Sequence, residues 1–184
     1  SLLKKFSVNR QQTRWLVQHS ADWSPFDMKL SDYVIDFVAN HGVSHVFGVT
    51  GGAVVHLFDS AQRNPRMTPI FCHHEQSAAL AAAAYSRINN HFGVAVLTTG
   101  PGCTNGLTGL VGAWQDSIPC LFLSGQQRSN HLSRGKPIRQ AATQEFDILS
   151  MVQHVTKYAA LVESPDRIRY HLEKAFQMAT AGRP

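Results

Sequence analysis

Glu75 is the side chain of this 184-residue sequence that is best placed for acid–base chemistry. It follows a short apolar run, and it begins an alanine-rich segment that predicts a helix over residues 75–89. A carboxyl group between a strand end and a largely covered helix can be tuned to exchange protons near neutral pH. A glutamate in a first helical turn also complements the helix dipole, so a purely structural role stays open.

Two histidines, His73 and His74, directly precede this glutamate. A zinc site would need further converging ligands, and the sequence offers no second His or Cys pair at helical spacing. We therefore expect no metal ion here. One histidine is expected to be a hydrogen-bond partner near the site, and the other a surface or core residue.

Two glycine-containing turns are candidates for close approach of the backbone to a ligand. One contains Gly51 and Gly52, and the other runs Thr99-Gly100-Pro101-Gly102. Glycine permits such an approach because it has no Cβ, although the same residues can simply make the turns. Neither spacing matches the dinucleotide fingerprint or the phosphate loop, which disfavours nucleotide binding. The second turn has no Lys or Arg nearby, which favours a neutral, flat ligand group over an anion.

Apolar runs and helical periods alternate from Leu30 onward, which predicts an α/β fold: a doubly wound, mainly parallel sheet with helices on both faces. In such sheets ligands bind beyond the carboxyl ends of the strands, where these turns lie. Strands are predicted at residues 45–49, 69–72, 92–98 and 119–123, with a further candidate at 156–162. Helices are predicted from Ser31 to Asn40, over 53–61, 75–89 and 146–155, and from Thr104 and Pro165.

Composition excludes several classes of protein. With 43% hydrophobic and 16% charged residues the chain can bury a globular core. The net charge of +5 forms no stripe of Lys and Arg along a predicted helix, so no nucleic-acid partner is expected. No apolar run approaches the ~20 residues of a membrane span, and we expect no membrane partner and a cytoplasmic location. Cys72, Cys103 and Cys120 lack C-x-x-C spacing and are expected to be reduced.

The first 28 residues differ in texture from the rest and are expected to be a poorly ordered or accessory segment, leaving residues 29–184 as the domain. One hypothesis is that Met28 is the natural start. The alternative is an amphipathic arm that packs on the domain or on a partner.

Six short segments between Leu30 and Pro184 carry a more specific signal in combination than any of them does alone. They are Phe47-Gly48-Val49-Thr50-Gly51-Gly52-Ala53; His74-Glu75-Gln76 with residues 82–87; Thr99-Gly100-Pro101-Gly102-Cys103-Thr104-Asn105; Asp116-Ser117-Ile118-Pro119; Ser124-Gly125-Gln126; and Gln144-Glu145. Together they resemble the amino-terminal, pyrimidine-binding domain of thiamine diphosphate enzymes of the acetolactate synthase and pyruvate oxidase group.

The resemblance implies thiamine diphosphate as cofactor and a 2-oxo acid as substrate of a carboligase or decarboxylase, a transferase or lyase. It makes Glu75 and Gln144 the catalytic candidates: Glu75 would hydrogen-bond N1′ of the aminopyrimidine and share its proton, and Gln144 would face the substrate. The cofactor-binding residues that it implies are Gly51, Gly52, Glu75, Thr99, Gly100, Pro101, Gly102 and Asn105.

Three residues depart from the synthase pattern. Thr50 stands where proline is usual, Thr143 where phenylalanine is usual, and Gln127 where valine is usual. Because two of these fall in segments expected to border the substrate, carboligation or decarboxylation of another 2-oxo acid is equally open. A non-catalytic binding or regulatory module with the same fold is the alternative from a different class.

The sequence contains no Gly-Asp-Gly followed by paired asparagines, the element that holds the diphosphate through magnesium in the family. We therefore expect the chain to be a fragment, inactive alone, with Mg²⁺ bound by a C-terminal domain absent from it; FAD dependence stays open. The remaining domains and a homo-oligomer, dimer or tetramer, are the expected partners. Self-association is predicted through the helices that start at Glu75 and Thr104, with the small residues 78–84 allowing close approach.

Overall fold

The computed structural model describes residues 28–89 and 92–184, so that nearly all of the predicted accessory segment 1–28 lies outside the described residues. Within this part of the chain four strands form one parallel sheet in the order β2-β1-β3-β4. The strands are β1 (His45–Gly48), β2 (Thr68–Phe71), β3 (Gly93–Leu97) and β4 (Cys120–Ser124). The predicted α/β class is confirmed.

Helices cover both faces of this sheet. They are α1 (Leu30–Asn40), α2 (Val55–Arg63), α3 (Glu75–Asn89), α4 (Pro101–Asn105), α5 (Leu107–Gln115), α6 (Ile148–Val152) and α7 (Ile168–Thr180), with short 3₁₀ turns at Ser129–His131 and Pro165–Arg167. Helices α1 and α2 pack on one face and α3 on the other. In the described part of the chain, no helix has both the length and the apolarity needed to cross a bilayer.

Strand β3 is buried along its whole length because both of its faces carry helices. Val94 and Val96 join the core beneath α1 and α2, whereas Ala95 and Leu97 join the core beneath α3. Helix α3 lies close to the sheet, since a Cβ at Gly93 would stand 1.9 Å from the Ala82 carbonyl oxygen. This packing places the first turn of α3 at the carboxyl edge of the sheet.

Four small residues of α3 allow a close approach within the chain. Ala78, Ala79, Ala82 and Ala83 are buried. Ala79 faces α5, because a Cβ added at Gly109 of α5 would stand 2.4 Å from the Cβ of Ala79. The prediction that residues 78–84 serve self-association is therefore wrong for the buried alanines.

Residues 156–162 form no strand, contrary to the candidate prediction, and pair with none of the described strands. The reason is that side chains tie this segment to α7 and the residues after it. Lys157 Nζ donates to the carbonyls of Ala181 and Arg183, and the Tyr158 hydroxyl lies 2.6 Å from His171 Nδ1. An apolar groove of about 310 Å³ lies between the segment and β4.

Several helix boundaries also differ from the sequence-based prediction, among them those of α2, which is Val55–Arg63 rather than 53–61. The first helix after β3 begins at Pro101 rather than near Thr104, because proline at the first helical position is already set in helical φ. The helix predicted over 146–155 is only α6, Ile148–Val152, whose N-cap Asp147 accepts a hydrogen bond from the Ser150 N–H.

Candidate active site

The candidate site lies at the carboxyl edge of the parallel sheet, where the turns after all four strands meet. Glu75 follows β2 and begins α3. Gly100 and Gly102 follow β3, and Gly51 and Gly52 follow β1. The sequence predicted all three turns at this edge.

Among the residues that the structure describes, Glu75 is held through one of its two carboxylate oxygens. Its Oε2 accepts a hydrogen bond of 3.0 Å from Asn105 Nδ2. Its Oε1 faces the glycine turn, since a Cβ at Gly102 would stand 3.3 Å from that atom. The side chain is half-buried, less covered than its place in the sequence predicted. The arrangement orients the carboxyl group and leaves Oε1 next to a position without a side chain.

The two histidines beside Glu75 are exposed. His74 Nδ1 accepts a hydrogen bond of 3.2 Å from the Gln76 N–H, which satisfies one of the free donors of the first turn of α3. Across residues 28–89 and 92–184, no group of three or more His, Cys, Asp or Glu side chains could hold a metal ion.

Thr98 joins the two glycine turns. A Cβ at Gly51 would stand 2.6 Å from the Thr98 Oγ1 and Cβ, and one at Gly102 would stand 2.5 Å from the Thr98 Cγ2. Both glycines are therefore required by packing around Thr98. Gly52 differs, because a Cβ there would meet no described atom within 4 Å.

Gly100 is required for two reasons. Its φ of +62° lies in the left-handed region that favours glycine. A Cβ at this position would also stand 2.2 Å from the carbonyl oxygen of Gln144. Gln144 is thereby brought to the turn after β3, although it lies 44 positions further along the chain.

Segment 143–146 is held against the sheet by side chains that follow β3 and β4. The Thr99 hydroxyl, 3% exposed with its residue, lies 2.9 Å from Gln126 Oε1 and 3.2 Å from the Gln144 carbonyl oxygen. Gln126 Nε2 donates to the Phe146 carbonyl at 2.9 Å. Gln127 Nε2 donates to the Thr143 carbonyl at 2.8 Å. The two departures from the synthase pattern, at 127 and 143, thus contact one another.

Buried Glu145 ties the same segment to earlier residues of its own loop. Its carboxylate accepts hydrogen bonds from the Ala141 N–H at 2.6 Å and from the Ser133 N–H and hydroxyl. The Ala141 N–H, followed by the Ser133 N–H, lowers the pKa of the Glu145 carboxyl to about 2. Sequence reasoning missed this anchor and the role of Gln126; both residues stood in the segments that carried the resemblance, and that was the available signal.

Comparison with known proteins agrees with this architecture. Residues 28–151 match the family model described as thiamine pyrophosphate enzyme, N-terminal TPP binding domain. The mitochondrial acetolactate synthase of Schizosaccharomyces pombe is 37% identical over 149 residues, which cover 81% of this chain and 21% of that protein.

Two bacterial proteins show similar values. The acetolactate synthase large subunit of Buchnera aphidicola subsp. Schizaphis graminum is 35% identical over 84% of this chain and 26% of its own length. The acetolactate synthase isozyme 2 large subunit of Escherichia coli K12 is 36% identical over 85% and 27%. The chain thus spans about a quarter of the length of the curated relatives that it matches. On its sequence segments, its parallel sheet and the family match, the chain belongs to the N-terminal TPP-binding domains of the thiamine pyrophosphate enzymes.

Proposed function

We propose that this chain activates the cofactor in a thiamine diphosphate-dependent transferase or lyase that acts on a 2-oxo acid. The observation that carries the proposal is the Glu75 carboxyl group, with Oε2 held by Asn105 and Oε1 facing Gly102. A 2-oxo acid substrate is supported by the resemblance and by relatives named acetolactate synthase.

The residues at this edge fit an aminopyrimidine ring. A ring nitrogen needs one carboxyl oxygen that can share a proton, and Glu75 Oε1 is the oxygen that Asn105 leaves free. A flat ring needs side-chain-free backbone beside it, and Gly102 supplies such a position next to that oxygen. When bound, thiamine diphosphate supplies an electron sink for cleaving the bond to the carboxylate carbon of a 2-oxo acid.

In this proposal the residues of the chain bind, orient and move a proton. Glu75 Oε1 would hold the proton at N1′, and the amide of Asn105 keeps the carboxyl group in that orientation. The backbone from Thr99 to Gly102 would line the ring, with Gly51 and Gly52 beside the substrate. Gln144, exposed beside Gly100, would face the substrate.

The test is Glu75→Gln in the enzyme that contains this chain. The amide retains the shape of the carboxyl group but cannot take the proton, so exchange of the C2 proton of bound thiamine diphosphate should slow by roughly 100-fold to 10,000-fold. The matched control is Glu173→Gln on α7, where the carboxylate accepts from Arg169 on the surface. An exchange rate in Glu75→Gln equal to that of the control would contradict the assignment.

The proposal extends to partners. Mg²⁺ would hold the diphosphate in another domain of the same enzyme.

A second copy of the chain would cover the outer faces of α3 and α5, where Leu80, Ile88 and Trp114 are 47%, 83% and 39% exposed. Light scattering should therefore give a mass that rises above 20.3 kDa with concentration. Ile88→Lys should lower that mass at equal concentration, and a monomer at all concentrations would count against the interface.

A further inference from the structure

The segment that carries Gln144 has unusual backbone bonding. Three of its carbonyl groups, those of Thr143, Gln144 and Phe146, accept hydrogen bonds from side chains. Most backbone carbonyls in a folded protein are bonded by other backbone groups instead. Side chains of the sheet edge, together with the turn hydrogen bond from the Glu145 N–H to the Ala142 carbonyl, therefore set the path of residues 143–146.

Gln144 itself adopts a strained conformation. Its φ is +61°, which is uncommon and strained for a residue with a Cβ. Such conformations persist only where the surroundings over-determine them, and they cluster at functional sites. Here the carbonyl of Gln144 is bonded to the Thr99 hydroxyl, and the Gln144 side chain has no hydrogen-bond partner among the described residues.

Thr99 connects Gln126, which follows β4, to the backbone of Gln144. It is 3% exposed, and its hydroxyl lies within hydrogen-bond distance of Gln126 Oε1 and the Gln144 carbonyl. Gln126 Oε1 also accepts from the Gln127 N–H at 2.9 Å, and Gln126 Nε2 reaches Phe146. Because the buried Thr99 hydroxyl already contacts two protein oxygens, it is not available to bind a ligand.

We propose that Thr99 and Gln126 are positioning residues that hold Gln144 in its left-handed conformation and so present its side chain at the rim of the site. The proposal rests on the proposed function only in that Gln144 faces the substrate; the geometry of the clasp, the set of bonds from Thr99 and Gln126 to residues 144 and 146, stands by itself. The assignment differs from a cofactor-binding role for the Thr99 side chain.

The first experiment needs no cofactor and compares Thr99→Val with Thr99→Ser in this chain by NMR. Thr99→Val keeps the shape but removes the donor, so the strong intraresidue amide-to-Hα NOE that marks positive φ at Gln144 should weaken. Exchange of the Ser133, Ala141 and Glu145 amides, all bonded within this loop, should rise about tenfold. Thr99→Ser retains the hydroxyl and should restore both signals.

The control is Ser86→Ala, which removes another hydroxyl that is 3% exposed and donates to a backbone carbonyl, that of Pro119. It should leave the Gln144 NOE and the loop amides unchanged. Gln126→Leu provides a second route to the same result if Thr99→Val does not fold. An unchanged NOE at Gln144 in both Thr99→Val and Gln126→Leu would overturn the proposal.

A double-mutant cycle in the cofactor-loaded enzyme separates this inference from the proposed function. If Thr99 acts through Gln144, Thr99→Val should reduce kcat/KM much less in a Gln144→Ala background than in the wild type. Fully multiplicative losses would overturn the positioning role. If Gln144→Ala leaves kcat/KM unchanged while Thr99→Val still abolishes the NOE, the clasp stands and the substrate-facing role of Gln144 fails.

Discussion

The turns after β1 and β3 both contain glycines at the carboxyl edge of the sheet, but their glycines serve different ends. After β3, Gly100 and Gly102 leave no room for a Cβ, because Gln144 and Thr98 occupy that space. After β1, Gly51 is closed by Thr98 while Gly52 opens to space free of described atoms. At three of these four positions glycine is therefore required because neighbouring atoms fill the space of a Cβ. At Gly52 the space is open, so packing does not require glycine there.

The turn after β3 is tied to more of its surroundings than the turn after β1. It contacts Glu75 through Asn105 and Gly102, and it contacts segment 143–146 through Thr99 and Gly100. A constellation held from several elements keeps its geometry better than a single exposed loop does. The turn after β1 joins it through Thr98.

The largest effect is expected for Gly100→Ala. A Cβ would meet the Gln144 carbonyl and would have to adopt positive φ, so the free energy of unfolding should fall by roughly 3 kcal/mol. Gly135→Ala is the matched control, because its φ of +77° imposes the strain with no described atom within 4 Å of the added Cβ. It should cost about 1 kcal/mol. If urea denaturation gave equal losses of unfolding free energy for Gly100→Ala and Gly135→Ala, the contact between the turn and Gln144 would be contradicted.

Alanine substitutions at Gly51 and at Gly52, in the turn after β1, should change the free energy of unfolding by different amounts. Gly51→Ala pushes on the Thr98 side chain and should lower the free energy of unfolding by about 2 kcal/mol. Gly52→Ala should change it by less than about 0.5 kcal/mol, because the added methyl group meets open space. Thermal or urea unfolding checks both. A Gly52→Ala loss as large as that of Gly51→Ala would mean that the two positions are equally packed.

The last effect appears only under acid conditions and concerns Glu145, which ties segment 143–146 to Ser133 and Ala141. The folded-state pKa of Glu145, about 2, is below its ordinary value of 4.5. Its contribution to stability is therefore complete above pH 4.5 and is lost as the pH falls toward 2. The difference in unfolding free energy between wild type and Glu145→Gln should shrink over that interval. A difference that stays constant from about pH 6 to about pH 2 would mean that the carboxylate does not anchor the loop.

Local sequence patterns predicted much of the fold. The predicted helix over residues 75–89 has the observed bounds of α3, and the apolar run at 92–98 contains β3. Both signals are local, because periodicity and strand-like runs are expressed within one element. The candidate strand at 156–162 failed because a strand requires a partner, and Lys157 and Tyr158 bind the end of the chain and α7 instead.

The sequence indicated some residues of the candidate site but not the long-range bonds that hold them. The sequence identified Glu75 as the acid–base candidate, and Gln144 through a resemblance. It did not indicate that Asn105 would hold one oxygen of Glu75, nor that Gln126 would bind segment 143–146, since these bonds join residues 30 and 20 positions apart. The catalytic and cofactor-binding assignments themselves stay predictions until the variants are measured.

The sequence by itself determined the α/β class, the order of the four observed strands along the chain, the place of Glu75 at the head of its helix, and the thiamine diphosphate family. Only the tertiary structure decided which oxygen of Glu75 is free, why Gly100 must be glycine, and how Gln144 is held. The physical reason is the range of the interactions. Periodicity and turn chemistry act between near neighbours, whereas the Thr99 hydroxyl reaches a carbonyl 45 residues away only because the whole sheet packs as it does.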